Sequence, residues 1–190
     1  MSDGGRRLMN DGDPNVALAS LCEPFSETAG FPFRYELLGG CDLPSPFHDL
    51  LVHHDHMTTV LRAYHGQALT LRALSARQSD ETYSRAIVLA AANGQEIVEF
   101  GIVRMNLACV DEAVRSAILE AKVPLGEILI RHEVLRRIEP RCYLRLPEAC
   151  GPLKRADRPC PTAAYGRIGT IYCNHEPAIE LLEVVPDAQC

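Results

Sequence analysis

The hydrophobic pattern of this chain changes period several times, and each change marks an element. After Asp55, Met57, Val60, Leu61 and Tyr64 recur at i, i+3, i+4 and i+7, one apolar helix face, and His65-Gly66 should end that helix. Asp55 itself suits the N-cap, accepting from the N–H of Met57 or Thr58. "QALTLRALSAR" then alternates as a strand. "TYSRAIVLAAANGQEIVEFGIVRMNL" predicts two strands joined around Asn93-Gly94, a pair whose tolerance of positive φ suits a tight hairpin.

The period then returns to that of a helix. "VDEAVRSAILEAK" places Val114, Ala117, Ile118 and Ala121 on one face, with Asp111 as its N-cap. Pro124 suits the first turn of a second helix, "KVPLGEILIRHEVL". "RRIEPRCYLRL" and "YGRIGTIYCNHEPAIELLEVVP" predict three more strands. Hairpin-linked strands with helices inserted in blocks imply an α+β fold: an antiparallel sheet of about six strands flanked by helices.

Two stretches break the pattern. Residues 1–30 are rich in Gly, Asp, Asn, Pro and Ser and read as a loosely ordered leader, with a short helical piece around "NVALASL" and the folded domain over 31–190. Residues 146–166 hold four prolines and read as a long loop or lid.

Composition narrows the class. At 190 residues, 47% apolar and 23% charged, the chain resembles an ordinary globular domain. No apolar run reaches the ~20 residues that span a bilayer, and the first 20 residues lack the apolar core of a secretory signal, which points to the cytoplasm. A formal charge of −6 argues against a nucleic-acid partner. The eight cysteines include no Cys-x-x-Cys and read as reduced apolar fillers. "VHHDHM" invites a metal, but adjacent helical residues diverge by about 100°, and no i, i+4 histidine pair occurs in it. No metal site is expected. Gly-x-Ser-x-Gly, Walker and Gly-x-Gly-x-x-Gly motifs do not occur.

Candidate chemistry comes from charges on apolar strand faces. Alternation puts Arg85 with Tyr83, Ile87 and Leu89, the bulkier face of its strand. A guanidinium cannot shed its charge, so burial demands an anion, either a ligand or a carboxylate in a structural ion pair. On the last strand Glu183 shares a face with Ile179, Leu181 and Val185, while Glu180 lies on the other. A buried carboxylate there suits acid–base work or a salt bridge, with Arg85 as one possible partner. Arg104, beside Phe100 and Ile102, is a second cationic candidate. Free N–H groups at "VPLG" would also favour an anion.

"HMTTVLRAYHG", "YSRAIVL", "KVPLGEILI" and "GRIGTIYCNHEPAIELLEVVP" occur in the order and spacing that resemble the chorismate lyase-like family, from about Leu50 to Pro186. The resemblance implies an antiparallel sheet that encloses a small ligand cavity. It also implies elimination of pyruvate from chorismate to give 4-hydroxybenzoate, with no metal or organic cofactor. The implied partner is a small molecule, chorismate or a related enolpyruvyl ether, with no nucleic acid and no membrane. A 3-hydroxybenzoate product is a variant of the same chemistry.

Family contacts carry over to Met57, Arg85 and Leu125, the last through its backbone. The family's glutamate stands four residues before a proline, which here is Leu182. The charge pattern favours Glu183, with Glu180 the alternative. The implied roles give Arg85 the ring carboxylate and Glu183 the ring hydroxyl and a proton. Two other readings are a small aromatic acid sensor of the related effector-binding fold and a metal-dependent hydrolase built on the histidines.

Overall fold

A computed structural model describes residues 13–91, 96–148, 150–153 and 163–187. Seven strands form one antiparallel sheet: β1 (Glu36–Leu38), β2 (Leu69–Ser79), β3 (Thr82–Ala91), β4 (Ile97–Asn106), β5 (Arg136–Leu146), β6 (Ala164–Cys173) and β7 (Glu176–Pro186). Their order is β1-β5-β6-β7-β4-β3-β2, so β7 and β4 lie side by side near the middle. The expected α+β architecture is therefore present, with one more strand than the pattern suggested. The extra strand, β1, has three residues, too few to display a period, and exists by pairing with β5 through Glu36–Arg145 to Leu38–Tyr143.

Both faces of the sheet are covered. Six helices are described: α1 (Pro14–Cys22), α2 (Ser26–Ala29), α3 (Phe47–Leu51), α4 (Met57–His65), α5 (Glu112–Glu120) and α6 (Leu125–Arg131). Helices α1 and α2 bury Leu18, Leu21 and Ala29 against Ala86, Val88, Phe100, Ile102, Leu182 and Val184. The helical piece expected near "NVALASL" is α1. From Asp13 onward, however, the leader is a packed cover on one sheet face rather than a loose tail. Asp13 caps α1 by accepting from the Asn15 N–H at 2.8 Å. Residues 1–12 lie outside the described residues.

The opposite face carries two apolar clusters. Met105, Ile171, Ile179 and Leu181 pack with α5 and α6 through Ile118, Ile128 and Leu129. Ile87, Leu89 and Val185 pack with α3 and α4 through Leu50, Leu51, Met57 and Leu61. The cavity described below opens between them.

Local expectations hold or fail for identifiable reasons. Asp111 caps α5, accepting from the Val114 N–H at 2.9 Å. Gly66 ends α4 in the left-handed region, at φ 63°. The N-cap of α4 is His56 rather than Asp55, and no side chain caps it. On α4, Met57 and Leu61 are buried, but Tyr64 is 55% exposed. The Asn93-Gly94 turn lies outside the described residues. Of the 146–166 stretch, a 3-10 turn (Gly151–Leu153) buries Leu153 against the α1–α2 side, and β6 already begins at Ala164.

Candidate functional site

Strand parity builds the cavity floor. On β3, Arg85, Ile87 and Leu89 face it; on β4, Glu99, Gly101 and Val103; on β7, Leu181 and Glu183. Register aligns these in rows: Arg85 opposite Val103 and Leu181, Ile87 opposite Gly101 and Glu183, Leu89 opposite Glu99. Successive rows are about 7 Å apart, two residues along a strand. Helix α4 contributes Met57 and Thr58, and the start of α6 contributes Leu125 and Gly126 behind Pro124. The free space within the cavity is about 60 Å³, compact beside the usual few hundred Å³ of small-molecule sites.

All four of Met57, Arg85, Leu125 and Glu183 therefore border one cavity. Glu180 does not. Register runs unbroken from Ile179 to Pro186, so parity sends Glu180 to the opposite face. There it pairs with Arg104, whose Nε donates to Glu180 Oε2 at 2.8 Å and whose Nη1 donates to Ser20 Oγ of α1 at 2.6 Å. Arg104 is thus a structural cation holding α1 to the sheet, and no ligand contact remains for it.

Two buried arginines flank the floor in contrasting states. Arg167 of β6, 1% exposed, uses its donors within the protein. Its Nε donates to Glu183 Oε2 at 2.6 Å, Nη1 to the carbonyls of Leu51 and His53 at 3.2 and 2.9 Å, and Nη2 to the Asp55 carbonyl at 3.2 Å. It locks Glu183 in place and ties the 51–55 turn to the sheet. Arg85 is equally buried, yet its Nε and Nη1 have no hydrogen-bond partner. Tyr83, two residues away on the same face, hydrogen-bonds it, while burial presses the guanidinium pKa downward. Arginine keeps its charge even so. The anticipated ion pair between Arg85 and Glu183 is absent, because Arg167 takes Glu183 instead.

Sequence reasoning missed Arg167 and Glu99. The face test that singled out Arg85 would have found Arg167 among Tyr165, Gly169 and Ile171 of β6. Glu99 is 4% exposed, with Oε2 unpartnered. Burial raises its pKa well above the ordinary carboxylate range, Glu183 raises it further, and Arg167 only partly opposes this. Its proximity to the expected turn hid it.

The histidines go separate ways. His53 Nε2 bonds the Leu50 carbonyl at 2.8 Å, and His54 Nδ1 the Ile138 carbonyl at 2.9 Å. His56 Nε2 accepts from Arg136 Nε at 2.8 Å, so the ring is neutral; burial, with Arg136 and Arg167 nearby, lowers its pKa to about 4. Its other edge lies against Gly126, where a Cβ would fall 2.6 Å from the ring. His56 thereby forms part of the cavity wall, and the missing side chain at Gly126 is what admits it. Among the described residues, no three His, Cys, Asp or Glu side chains group as a metal-binding set.

No protein-family model and no curated protein matches the chain. Among solved structures, the crystal structure of PhnF from Mycobacterium smegmatis is similar at 14% identity with a TM-score of 0.44. The match covers 72% of this chain and 65% of that one, so the chain corresponds to less than two-thirds of that protein's length. Among the described residues, no helix is long and apolar enough to cross a membrane.

Proposed function

We propose that the protein is a chorismate pyruvate-lyase-type enzyme, eliminating pyruvate from chorismate to give 4-hydroxybenzoate without a cofactor. One observation carries this reading: Arg85, which borders a small, mostly apolar cavity, holds two buried guanidinium nitrogens without a partner. Leaving buried charged donors unmade costs several kcal/mol on the order-of-magnitude scale for such groups, a cost an anionic ligand would relieve. A ring carboxylate on Arg85 gives the ligand one end. Its apolar ring would lie over Ile87 and Val103 beneath Met57 and Leu125, and its hydroxyl end would reach the row of Glu183.

The reaction asks little more of the protein. Removing the hydrogen from the hydroxyl-bearing ring carbon and breaking the neighbouring ether bond creates an aromatic ring, a strongly favourable change. The cavity has to hold the ether in an eliminating geometry and to accept one proton. Glu183, fixed by Arg167, is the acceptor. 3-Hydroxybenzoate, an alternative product of the same substrate, tests the same pocket with a shifted oxygen.

The experiment is incubation with chorismate, coupled detection of pyruvate and chromatographic identification of the aromatic product. Wild type should release both in equal amounts, EDTA should leave the rate unchanged, and Arg85→Ala should lose binding of 4-hydroxybenzoate. Tight binding of 4-hydroxybenzoate with no pyruvate release would identify a sensor instead. Activity abolished by EDTA and restored by zinc would overturn the cofactor-free reading.

A further inference from the structure

Glu99 is the buried titratable group that the reaction as described leaves unused. It lies on the cavity floor, 4% exposed, with Oε2 unpartnered. Its placement depends on a glycine. Oε1 is 3.3 Å from where a Cβ on Gly101 would stand, so the carboxyl leans over the bare backbone there. Gly101 is the direct register partner of Glu183. The two glutamates therefore occupy neighbouring strands one row apart, Glu99 leaning over Gly101 and Glu183 beside that glycine in register. One cation, Arg167, serves this corner, and its Nε is already bonded to Glu183 at 2.6 Å.

We propose that Glu99 is a second catalytic residue, a neutral carboxylic acid that delivers its proton to the ligand oxygen adjacent to the one facing Glu183. Two carboxylates beside one arginine would leave a buried negative charge uncompensated, so the pair keeps one proton, and Glu99, the member without the arginine, holds it. The raised pKa of Glu99 agrees with this distribution. A neutral acid next to an ionised carboxylate is the arrangement that lets one site both give and accept a proton.

The reaction step rests on the lyase reading above. The Glu183 carboxylate takes the hydrogen from the hydroxyl-bearing ring carbon, and that C–H electron pair becomes the third ring double bond. The adjacent carbon–oxygen ether bond breaks, its electron pair going to oxygen. That oxygen takes the proton of Glu99 and leaves as enolpyruvate, which tautomerises to pyruvate. Glu183 is then protonated and Glu99 ionised, and transfer of one proton from Glu183 to Glu99 restores the starting state.

Two measurements test the assignment. In steady-state turnover of chorismate, Glu99→Gln should lower kcat by about 10²–10⁴-fold, the range for losing a general acid. The amide still donates a hydrogen bond, so the Kd for 4-hydroxybenzoate should stay within about threefold of wild type. A kcat within about threefold of wild type would overturn the catalytic role.

The second measurement needs no turnover. Calorimetry on wild type should show 3,4-dihydroxybenzoate binding about tenfold tighter than 4-hydroxybenzoate, because the added oxygen meets Glu99. Glu99→Leu should erase that preference, and an equal preference in both proteins would refute the contact. Wild type that binds these acids yet releases no pyruvate would sink the lyase reading, while the binding comparison would still decide whether Glu99 reads the neighbouring oxygen.

Discussion

Replacing Glu99 by glutamine should stabilise the protein, and the gain should grow with pH. An ordinary glutamate ionises near 4.5, whereas burial and the neighbouring Glu183 hold Glu99 protonated well above that value in the fold. Between these limits the native state binds one more proton than the unfolded chain. Unfolding stability therefore falls as pH rises through that window, by up to about 1.4 kcal/mol per pH unit from this one group. Glutamine has nearly the same shape and no proton to lose, so its stability lacks that slope. At pH 4, where glutamate is protonated in both states, the two proteins should be within about 0.5 kcal/mol of each other. Above that pH the variant's lead should widen step by step until Glu99 itself ionises in the fold. Urea titrations at half-unit steps from pH 4 to 8, extrapolated linearly with a common m-value, read the difference directly. A difference that does not change with pH would mean that Glu99 titrates normally. A variant that becomes less stable as pH rises would mean that Glu99 is an ionised, paired carboxylate, and the neutral-acid argument would fail. A gain in stability bought with lost turnover is the usual trade at a functional group.

Other expectations follow from the contacts around the cavity. Arg167→Met leaves the half-buried Glu183 without its partner and frees the 51–55 turn, so chemical denaturation should report a loss of about 3 kcal/mol. Gly126→Ala places a Cβ 2.6 Å from the His56 ring. The ring must swing from Arg136, at a cost of about 1–3 kcal/mol and with weaker 4-hydroxybenzoate binding by calorimetry. Glu183→Gln should reduce turnover by at least about 10²-fold. Glu180→Gln should leave turnover intact while melting earlier, since it only weakens the tie of Arg104 to α1; the reverse outcome would show the face assignment to be wrong.

Strand parity made much of this site readable before any tertiary contact was known. Arg85 and Glu183 each stand alone on a bulky apolar face, and a period of two residues is enough to say which way they point. The same test would have disclosed Arg167. Glu99 was harder, because it sits two residues into β4, beside a polar turn where alternation has barely begun. Helix α1 was expected, but its packing was obscured by the flanking glycine, aspartate and asparagine, although its own Ala17, Leu18 and Leu21 are buried. Strand β1, with three residues, has no pattern to read.

Local sequence thus decided the longer elements, the Asp111 and Gly66 caps and the direction of side chains along the long strands, because these depend on residues two to four positions apart. It did not decide which charge meets which. Arg167 finds the carbonyls of the 51–55 turn more than 110 residues away in sequence, and His56 meets Arg136 80 residues away. Those pairings arise from sheet order and from how α4 and α6 settle over it. They leave Arg85 with open donors and Glu99 without a bonded cation, and that imbalance of charge and partner, set only by the tertiary structure, is what singles the cavity out as the candidate site.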